Sequence, residues 1–196
     1  MEERTAEIER KTKETAIRVG LNLDGKGTPE VFTGIPFFDH MLTLLAVHGF
    51  FDLSVKAKGD LDVDFHHTVE DVGLVFGDTL VKALGNRKGI QRYGHAVTPM
   101  DDALAMVTVD LSNRPFLVFN VPSFGLTESR FNLVVAKEFF RAFGNRGGLN
   151  LHINVSYGEN EHHILESIFK ALGNALDQAS TRDHRIVNVR SSKGTL

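Results

Sequence analysis

The sequence contains no cysteine and no long hydrophobic run. Without cysteine the chain can form neither disulfides nor thiolate metal sites, although this leaves the compartment open. No apolar stretch approaches the roughly 18 residues that a membrane-spanning helix requires. The start of the chain, MEERTAEIERKTKET, is too polar for a signal peptide. We therefore expect a soluble, cytoplasmic protein.

The chain also lacks a large excess of charge of either sign. Lys and Arg number 22 against 25 Asp and Glu, which gives a formal net charge of −3. There is no long basic run and no basic–aromatic stripe, and this argues against a nucleic-acid partner. With 196 residues and 42% hydrophobic content, the chain can bury a core either as one domain or as two small halves.

What the sequence does contain is an alternation of strand-like and helix-like segments. Alternating apolar residues in AIRVGLNLDGKG predict a strand that runs into a hairpin, and FDLSVKAKG predicts another strand. Helical spacing is found in FFDHMLTLLAVHGF, with Gly49 as the stop, and over 66–84. After a predicted loop around 85–94 the order recurs. LAMVTVDLS and FLVFNVP predict paired strands, and a helix (VVAKEFFRAFG), a strand (LNLHINVSYG) and a helix (HHILESIFKALGNAL) follow.

One short motif occurs twice, as DFHHTVED at 64–71 and as EHHILES at 161–167. An offset of 96 positions relates the two histidines and the glutamate of each copy, and it also relates Gly77 to Gly173. Upstream the offset becomes 98, which aligns FDLSV with LNLHI and His40 with Glu138. A hairpin shorter by two residues would explain the change. The pattern predicts a duplicated half-domain, at a period too long for a solenoid.

The repeated histidine pairs have the composition of metal ligands. On a helix, adjacent residues point about 100° apart, whereas positions three or four apart share a face. We therefore expect His67 and Glu70 to face one centre while His66 points elsewhere, and likewise for the second motif. Two metal ions would then each need ligands from beyond one helix. Nitrogen and oxygen ligands suit Mn, Fe, Co, Ni or Zn. The alternative is a pair of solvated helix N-termini, which the matching register of the two copies disfavours.

A further candidate ligand is His40, at the start of an apolar helix. The preceding Asp39 is expected to cap that helix or to orient the imidazole. Taken alone, His40 is typical of a capping or core histidine. Its alignment with Glu138, another plausible ligand, favours metal binding.

Five segments, GIPFFDHML, DFHHTVEDVG, RYGHAVTPMDDALA, HHILESIFKALGNAL and the terminal SSKG, together resemble the imidazoleglycerol-phosphate dehydratase family. They occur in the same order over nearly the whole chain. The resemblance implies an α+β fold of two duplicated α/β half-domains, like the second domain of ribosomal protein S5, with helices packed between two four-stranded sheets. The half-domains would span 1–93 and 94–196 and form one functional domain. The resemblance also implies two Mn(II) ions per active site, and a homo-oligomer of 24 subunits with active sites at subunit boundaries.

The family's ligand and catalytic roles can be carried onto the matching positions. One ion would take His40, His67, Glu70 and His162, and the other His66, Glu138, His163 and Glu166. We expect the position of Glu138 to alternate between histidine and glutamate among relatives. Glu14 would be the acid/base, and the catalytic set would include His40, His67, Glu70, His162 and Glu166. The phosphate contacts would be Arg92, Arg114, Lys170, Ser192 and Lys193, and the rest of the substrate contacts Glu14, His40, His66, Glu70 and His162.

The implied reaction removes water from D-erythro-imidazole glycerol phosphate and gives imidazole acetol phosphate, in L-histidine biosynthesis. The hydrogen that is lost sits on a carbon beside the imidazole ring and is barely acidic. Metal ions on both ring nitrogens would favour imidazolate and withdraw electron density as Lewis acids. Loss of the proton would give a diazafulvene-like intermediate, and loss of the neighbouring hydroxyl an enol that tautomerises.

Two other functions are compatible with the same ligands. A dinuclear metallohydrolase would use them to activate water and would release inorganic phosphate from phosphomonoesters. A non-enzymatic metal-binding assembly would hold many ions per subunit and would need neither Glu14 nor the arginines.

Overall fold

The same order of strands and helices occurs twice along the chain. The computed structural model describes residues 4–122 and 130–195. The first copy contains β1 (Thr5–Lys11), β2 (Ala16–Asn22), β3 (Pro29–Phe32), α1 (Pro36–His48), β4 (Asp52–Lys58) and α2 (His66–Leu84). The second contains β5 (Tyr93–Met100), β6 (Ala103–Asp110), β7 (Phe116–Asn120), α3 (Leu133–Gly147), β8 (Asn150–Tyr157) and α4 (Glu161–Ser180). The predicted duplication is confirmed, while the exact boundaries 1–93 and 94–196 stay a prediction.

Each copy builds a four-stranded sheet with the same topology. The strand orders are β1-β2-β4-β3 and β5-β6-β8-β7. The last pair in each sheet is parallel and the others are antiparallel. Along β2 the buried residues are Ile17, Val19 and Leu21, so alternate side chains enter the core as the strand period requires. The predicted α+β class with two four-stranded sheets is confirmed.

The helices lie between the sheets and pair across the two halves. α2 packs on β1, β2 and α3, and α4 packs on β5, β6 and α1. Glycines allow the close approach: a Cβ built on Gly77 would lie 2.8 Å from the carbonyl oxygen of Phe143, and one on Gly173 would lie 2.5 Å from that of Leu45. These two glycines are the pair that the 96-residue offset relates. Both interhelical contacts therefore follow one design, which brings helices of opposite halves together.

Several predictions of strand pairing were wrong. β2 forms its hairpin with the preceding β1, whereas β3 pairs in parallel with β4. β6 and β7 do not pair with each other, because β8 lies between them. Parallel neighbours need a crossover connection, here through α1 and α3, and no local turn signal reveals which strand fills the gap. The predicted loop around 85–94 overlaps β5, which begins at Tyr93.

The change of offset from 98 to 96 does not arise in a hairpin. It falls between β4 and α2, where the connection spans 59–65, against 158–160 between β8 and α4. The connection before α2 is thus longer than the one before α4. The helix limits predicted at 66–84 and the stop at Gly49 agree with the structure. In the parts of the chain that the structure covers, no helix has both the length and the apolar character needed to cross a bilayer.

Candidate metal centre and active site

The first cluster of candidate ligands joins α1 to α4. His40 comes from the second turn of α1, and His162 and Glu166 lie one turn apart on α4. The Nε2 atoms of His40 and His162 are each 3.0 Å from Oε1 of Glu166. One ligand atom from each of the three residues lies within 4.8 Å of the other two. The Glu166 side chain is only 9% exposed, whereas both imidazoles reach solvent.

The second cluster joins α2 to α3. It contains His66 and Glu70 from α2 and Glu138 from α3, again with one ligand atom of each within 4.8 Å of the others. His66 Nε2 lies 3.7 Å from Oε2 of Glu70. The 96- and 98-residue offsets convert each member of this cluster into a member of the first. The two clusters are therefore repeat-related copies, each made of a His–Glu pair from one half and a third ligand from the other.

Cations balance the carboxylates of both clusters. Lys170 Nζ lies 2.7 Å from Oε2 of Glu166, and Arg141 pairs with Glu138 while lying 3.8 Å from Oε1 of Glu70. Burial alone would raise the pKa of Glu166. The hydrogen bonds from Lys170, His40 and His162 outweigh burial and lower that pKa to about 2. Glu166 is thus an ionised acceptor at neutral pH, which a metal ligand must be.

His67 and His163 do not join these clusters within one chain. His67 Nδ1 is 2.9 Å from Oδ2 of Asp60, and His163 Nδ1 is hydrogen-bonded to Asp102. Within one chain Glu70 is grouped with His66 and Glu166 with His162. The expectation that His67 and Glu70 face one metal ion, like its counterpart for His163 and Glu166, stays a prediction. A four-residue helical step returns to within about 40° of its starting direction and a three-residue step only to about 60°. That difference favours His66 and His162 as the partners of the glutamates.

Hydrogen bonds to carboxylates also shift the pKa of these two outer histidines. Bonding to Asp60 raises the pKa of His67, and bonding to Asp102 raises the pKa of His163. Bonding to His163 and to two backbone N–H groups keeps the pKa of Asp102 far below its usual range. Exposed Asp101 lies 3.5 Å from Nε2 of His163, on the side away from Asp102.

Glu14 sits in the hairpin that joins β1 to β2. Its carboxylate is 60% exposed and approaches His67, with 3.9 Å between Oε2 and Nδ1. The hairpin is held from inside: Glu14 N donates to Thr12 Oγ1 at 3.1 Å, and Thr15 Oγ1 donates to buried Asp71 on α2. Sequence reasoning missed Thr15 and Asp71, although the position of Asp71 beside Glu70 in the second motif was an available signal.

Asp39 plays neither of the roles predicted for it. Its Oδ1 accepts hydrogen bonds from N and Oγ1 of Thr33, at 2.7 and 2.5 Å. α1 has no side-chain cap at Ile35. Asp39 therefore binds α1 to the connection from β3. His40 is the next residue along α1, so this contact also helps to position it.

The predicted phosphate contacts are dispersed in one chain. Lys170 belongs to the first cluster. Arg92 is buried, donates through Nε and Nη2 to Asp110 at 2.7 and 3.0 Å, and donates through Nη1 to the carbonyl oxygen of Arg190. Arg114 is exposed between β6 and β7, and Ser192 and Lys193 are exposed near the chain end. Over 4–122 and 130–195 no hydrogen bond or ion pair links these last four residues to either cluster, so their roles stay predictions.

Comparison with known proteins identifies the family of this chain. The sequence model of a family described as imidazoleglycerol-phosphate dehydratase matches residues 33–176. The chain belongs to this family of hydro-lyases. A relative from Desulfosudis oleivorans, named imidazoleglycerol-phosphate dehydratase, is 61% identical over 193 residues, which is 98% of this chain and 99% of the relative. The resemblance inferred from the sequence motifs is confirmed.

Solved structures of the same family share the fold. The crystal structure of imidazoleglycerol-phosphate dehydratase from Staphylococcus aureus has a TM-score of 0.81 at 35% identity and covers 91% of this chain and 99% of its own. A structure from Pyrococcus furiosus has a TM-score of 0.84 at 37% identity and covers 96% of this chain and 100% of its own. The duplicated architecture is thus that of the family.

The donor atoms of both clusters fit a divalent metal ion. Imidazole nitrogen and carboxylate oxygen, with no sulfur, are the ligands of Mn(II) and its first-row neighbours. Each cluster supplies three such ligands within one chain, fewer than the octahedral set that Mn(II) prefers. An ion bound at either cluster would need further ligands from substrate, water or another copy of the chain.

Proposed function

We propose that this protein catalyses the Mn(II)-dependent dehydration of D-erythro-imidazole glycerol phosphate to imidazole acetol phosphate, in L-histidine biosynthesis in the cytoplasm. Family membership over nearly the full chain supports the substrate and the reaction. The observation that supports the metal requirement is the pair of repeat-related clusters. In each, imidazole nitrogen and carboxylate oxygen atoms lie within 4.8 Å of one another. A substrate with two ring nitrogens matches a site with two ions.

The ligand assignment carried over from the family implies an assembly. That assignment gives Glu166 to a different ion from His40 and His162, although one chain holds all three together. It likewise separates Glu70 from His66. Both separations are met if the first cluster of one copy faces the second cluster of another, so that each ion takes ligands from both. We therefore propose a homo-oligomer with active sites at subunit boundaries, and 24 subunits as in the family.

Two bound Mn(II) ions would supply Lewis acidity that withdraws electron density from the substrate's imidazole ring. The protein residue placed to move the proton is Glu14. Its carboxylate is exposed, accepts no side-chain hydrogen bond from residues 4–122 or 130–195, and lies on a hairpin that Thr15 and Asp71 attach to α2. The hydroxyl on the carbon beside the ring would leave as water after protonation, and Glu14 would take the proton from the next carbon, which keeps its own hydroxyl. This assignment differs from the one expected from the sequence, because only it leaves the oxygen of the ketone on the middle carbon of the side chain. The resulting enol then tautomerises to the ketone.

The assignment carried over from the family gives the phosphate end of the substrate to cationic and hydroxyl groups. Arg114 is exposed and makes no hydrogen bond or ion pair within the segments that the structure describes, so its guanidinium is available. Lys170 stands beside Glu166. Ser192 and Lys193 lie near the chain end, where small donors and Gly194 at φ 75° form a turn suited to anions. Arg92 would act from its buried pair with Asp110.

The deciding experiment incubates the metal-free protein with imidazole glycerol phosphate, with and without Mn(II), and follows the acetol product. We expect product only with metal. Release of inorganic phosphate from phosphomonoesters without acetol formation would instead indicate a metallohydrolase. Tight binding of many ions with no turnover, unaffected by loss of Glu14, would indicate a storage assembly.

A further inference from the structure

We propose that Asp60 and Asp102 are positioning residues that hold Nδ1 of His67 and of His163 and thereby reserve the Nε2 atom of each for a metal ion. This inference rests on the proposed metal-dependent function. It concerns the two predicted ligands that the clusters of one chain leave out. A histidine that ligates a metal through one nitrogen commonly donates its other N–H to a carboxylate, which fixes both tautomer and ring direction.

In the first half, the carboxylate that contacts the outer histidine is that of Asp60. Its Oδ2 lies 2.9 Å from Nδ1 of His67, and its side chain is only 23% exposed. Its own backbone carbonyl accepts a bond from Val63 N at 2.9 Å, which closes a turn inside the connection to α2. The turn therefore fixes the backbone of Asp60, from which the carboxylate reaches His67.

Asp102 performs the same task in the second half from a different element. It lies in the hairpin between β5 and β6, and its Oδ1 is hydrogen-bonded to Nδ1 of His163. Its Oδ2 accepts from the backbone N atoms of Glu159 and Asn160, at 2.6 and 3.0 Å. Those residues lead directly into α4. One carboxylate thus ties the hairpin, the start of α4 and the imidazole to one another.

The duplication explains why the two carboxylates come from unlike places. The hairpin equivalent to that of Asp102 in the first half is 12–15, and its acidic residue is Glu14. The Glu14 carboxylate lies 3.9 Å from Nδ1 of His67, whereas the Asp60 carboxylate lies 2.9 Å from the same atom. Asp60 in turn sits in the connection 59–65, which is the longer of the two strand-to-helix connections. The extra loop in the first half therefore carries the orienting role and leaves the hairpin carboxylate free for proton transfer.

The test compares Mn(II) binding by the full-length protein and four variants. Asp60→Asn and Asp102→Asn remove the charged acceptor. Asp62→Asn and Glu159→Gln make the same charge change at exposed neighbouring positions, whose side chains form no hydrogen bond or ion pair with the residues that the structure describes. Free Mn(II) is counted by electron paramagnetic resonance during titration of the metal-free protein. We expect each of the first two variants to bind Mn(II) about 10- to 100-fold more weakly, with both controls at the wild-type value. Circular dichroism of the metal-free proteins checks the fold.

Wild-type affinity in Asp60→Asn and Asp102→Asn, beside a wild-type protein that binds metal and turns over, would overturn the positioning role and leave the proposed function intact. A wild-type protein that neither binds Mn(II) nor makes product would overturn both. Asp102→Asn also removes a charged acceptor of two backbone N–H groups, so weaker metal binding by this variant could come from a local folding defect. A crystal structure of the Mn(II)-loaded wild-type protein tests the positioning role without any substitution. Metal bonded to Nε2 of His67 and His163 supports the assignment, and metal bonded to Nδ1 of either overturns it.

Discussion

His40 and Glu138 are equivalent residues of the two half-domains, and each is the ligand that its cluster takes from the opposite half. His40 of α1 meets the pair on α4, and Glu138 of α3 meets the pair on α2. The imidazole of one half is thus replaced by a carboxylate in the other, which makes the two clusters alike in position and different in charge. Neither cluster could form in an isolated half-domain, and this couples the candidate site to the fold of the whole chain.

Glu14→Gln should abolish most turnover without disturbing the metal sites. Replacing the carboxylate by an amide removes the proton acceptor, and loss of a general acid/base typically costs roughly 10²-fold or more in kcat. Steady-state kinetics and metal analysis by mass spectrometry measure the two effects. Glu30→Gln on exposed β3 is the matched control. Turnover of Glu14→Gln close to that of the control would remove Glu14 from the mechanism.

Arg114→Ala and Arg92→Ala should differ in their effect on stability. Both should weaken substrate binding by about 1.5–3 kcal/mol for a charge-assisted contact, seen as a raised KM. Arg92→Ala should also lower the unfolding temperature, because it leaves Asp110 without its bidentate partner. Arg114 has no such partner among residues 4–122 and 130–195, so its loss should leave the unfolding temperature unchanged.

Thermal melts and KM measurements on both arginine variants are read together. Inorganic phosphate should slow hydrogen exchange around Arg114 in the wild type. A normal KM in both variants, with no protection by phosphate around either arginine, would show that the phosphate site has been misplaced.

Acid should destabilise the metal-free protein through Glu166. The pKa of Glu166 is lowered from 4.5 to about 2 in the folded chain, so its contribution to stability is fully present above about 4.5. That contribution should be lost as the pH falls from about 4.5 towards 2, at roughly 1.4 kcal/mol of unfolding free energy per pH unit.

Urea unfolding of the chelator-treated protein across this range measures the effect of Glu166. Glu166→Gln should give a flatter dependence of the unfolding free energy on pH than the wild type, and Glu30→Gln should not. Identical pH dependence in all three proteins would mean that Lys170, His40 and His162 do not hold Glu166 as the structure describes.

Metal should favour the assembled form over smaller oligomers. Ions that bind only where ligands of two copies meet shift the equilibrium towards that state, and protonation of the histidines competes with the metal as pH falls. Light scattering and analytical ultracentrifugation with chelator, and then with Mn(II) restored, should show growth from a small to a large particle. His67→Ala and His163→Ala should blunt that growth. A large particle that forms equally well without metal, together with unaltered growth in both variants, would contradict assembly through these ligands.

The sequence by itself determined the duplication, the family and the presence of the four helices. Residues close in sequence report which side chains share a helix, so the two repeated motifs assign their histidines and glutamate to α2 and α4. α2 extends over His66–Leu84 as the periodicity predicts. The charged alternation of β1 and the Gly and Pro in β5 hide those strands from the same reasoning, because their burial depends on neighbours distant in sequence.

Only the tertiary structure decided which ligands meet. That His40 approaches Glu166, and Glu138 approaches His66, follows from the pairing of helices across the two halves at Gly77 and Gly173. The hydrogen bonds that His67 donates to Asp60 and His163 donates to Asp102 depend on two loops whose courses no periodicity encodes. Helical spacing restricts the direction of a side chain only relative to its own axis, and the packing of one axis on another sets every distance between them.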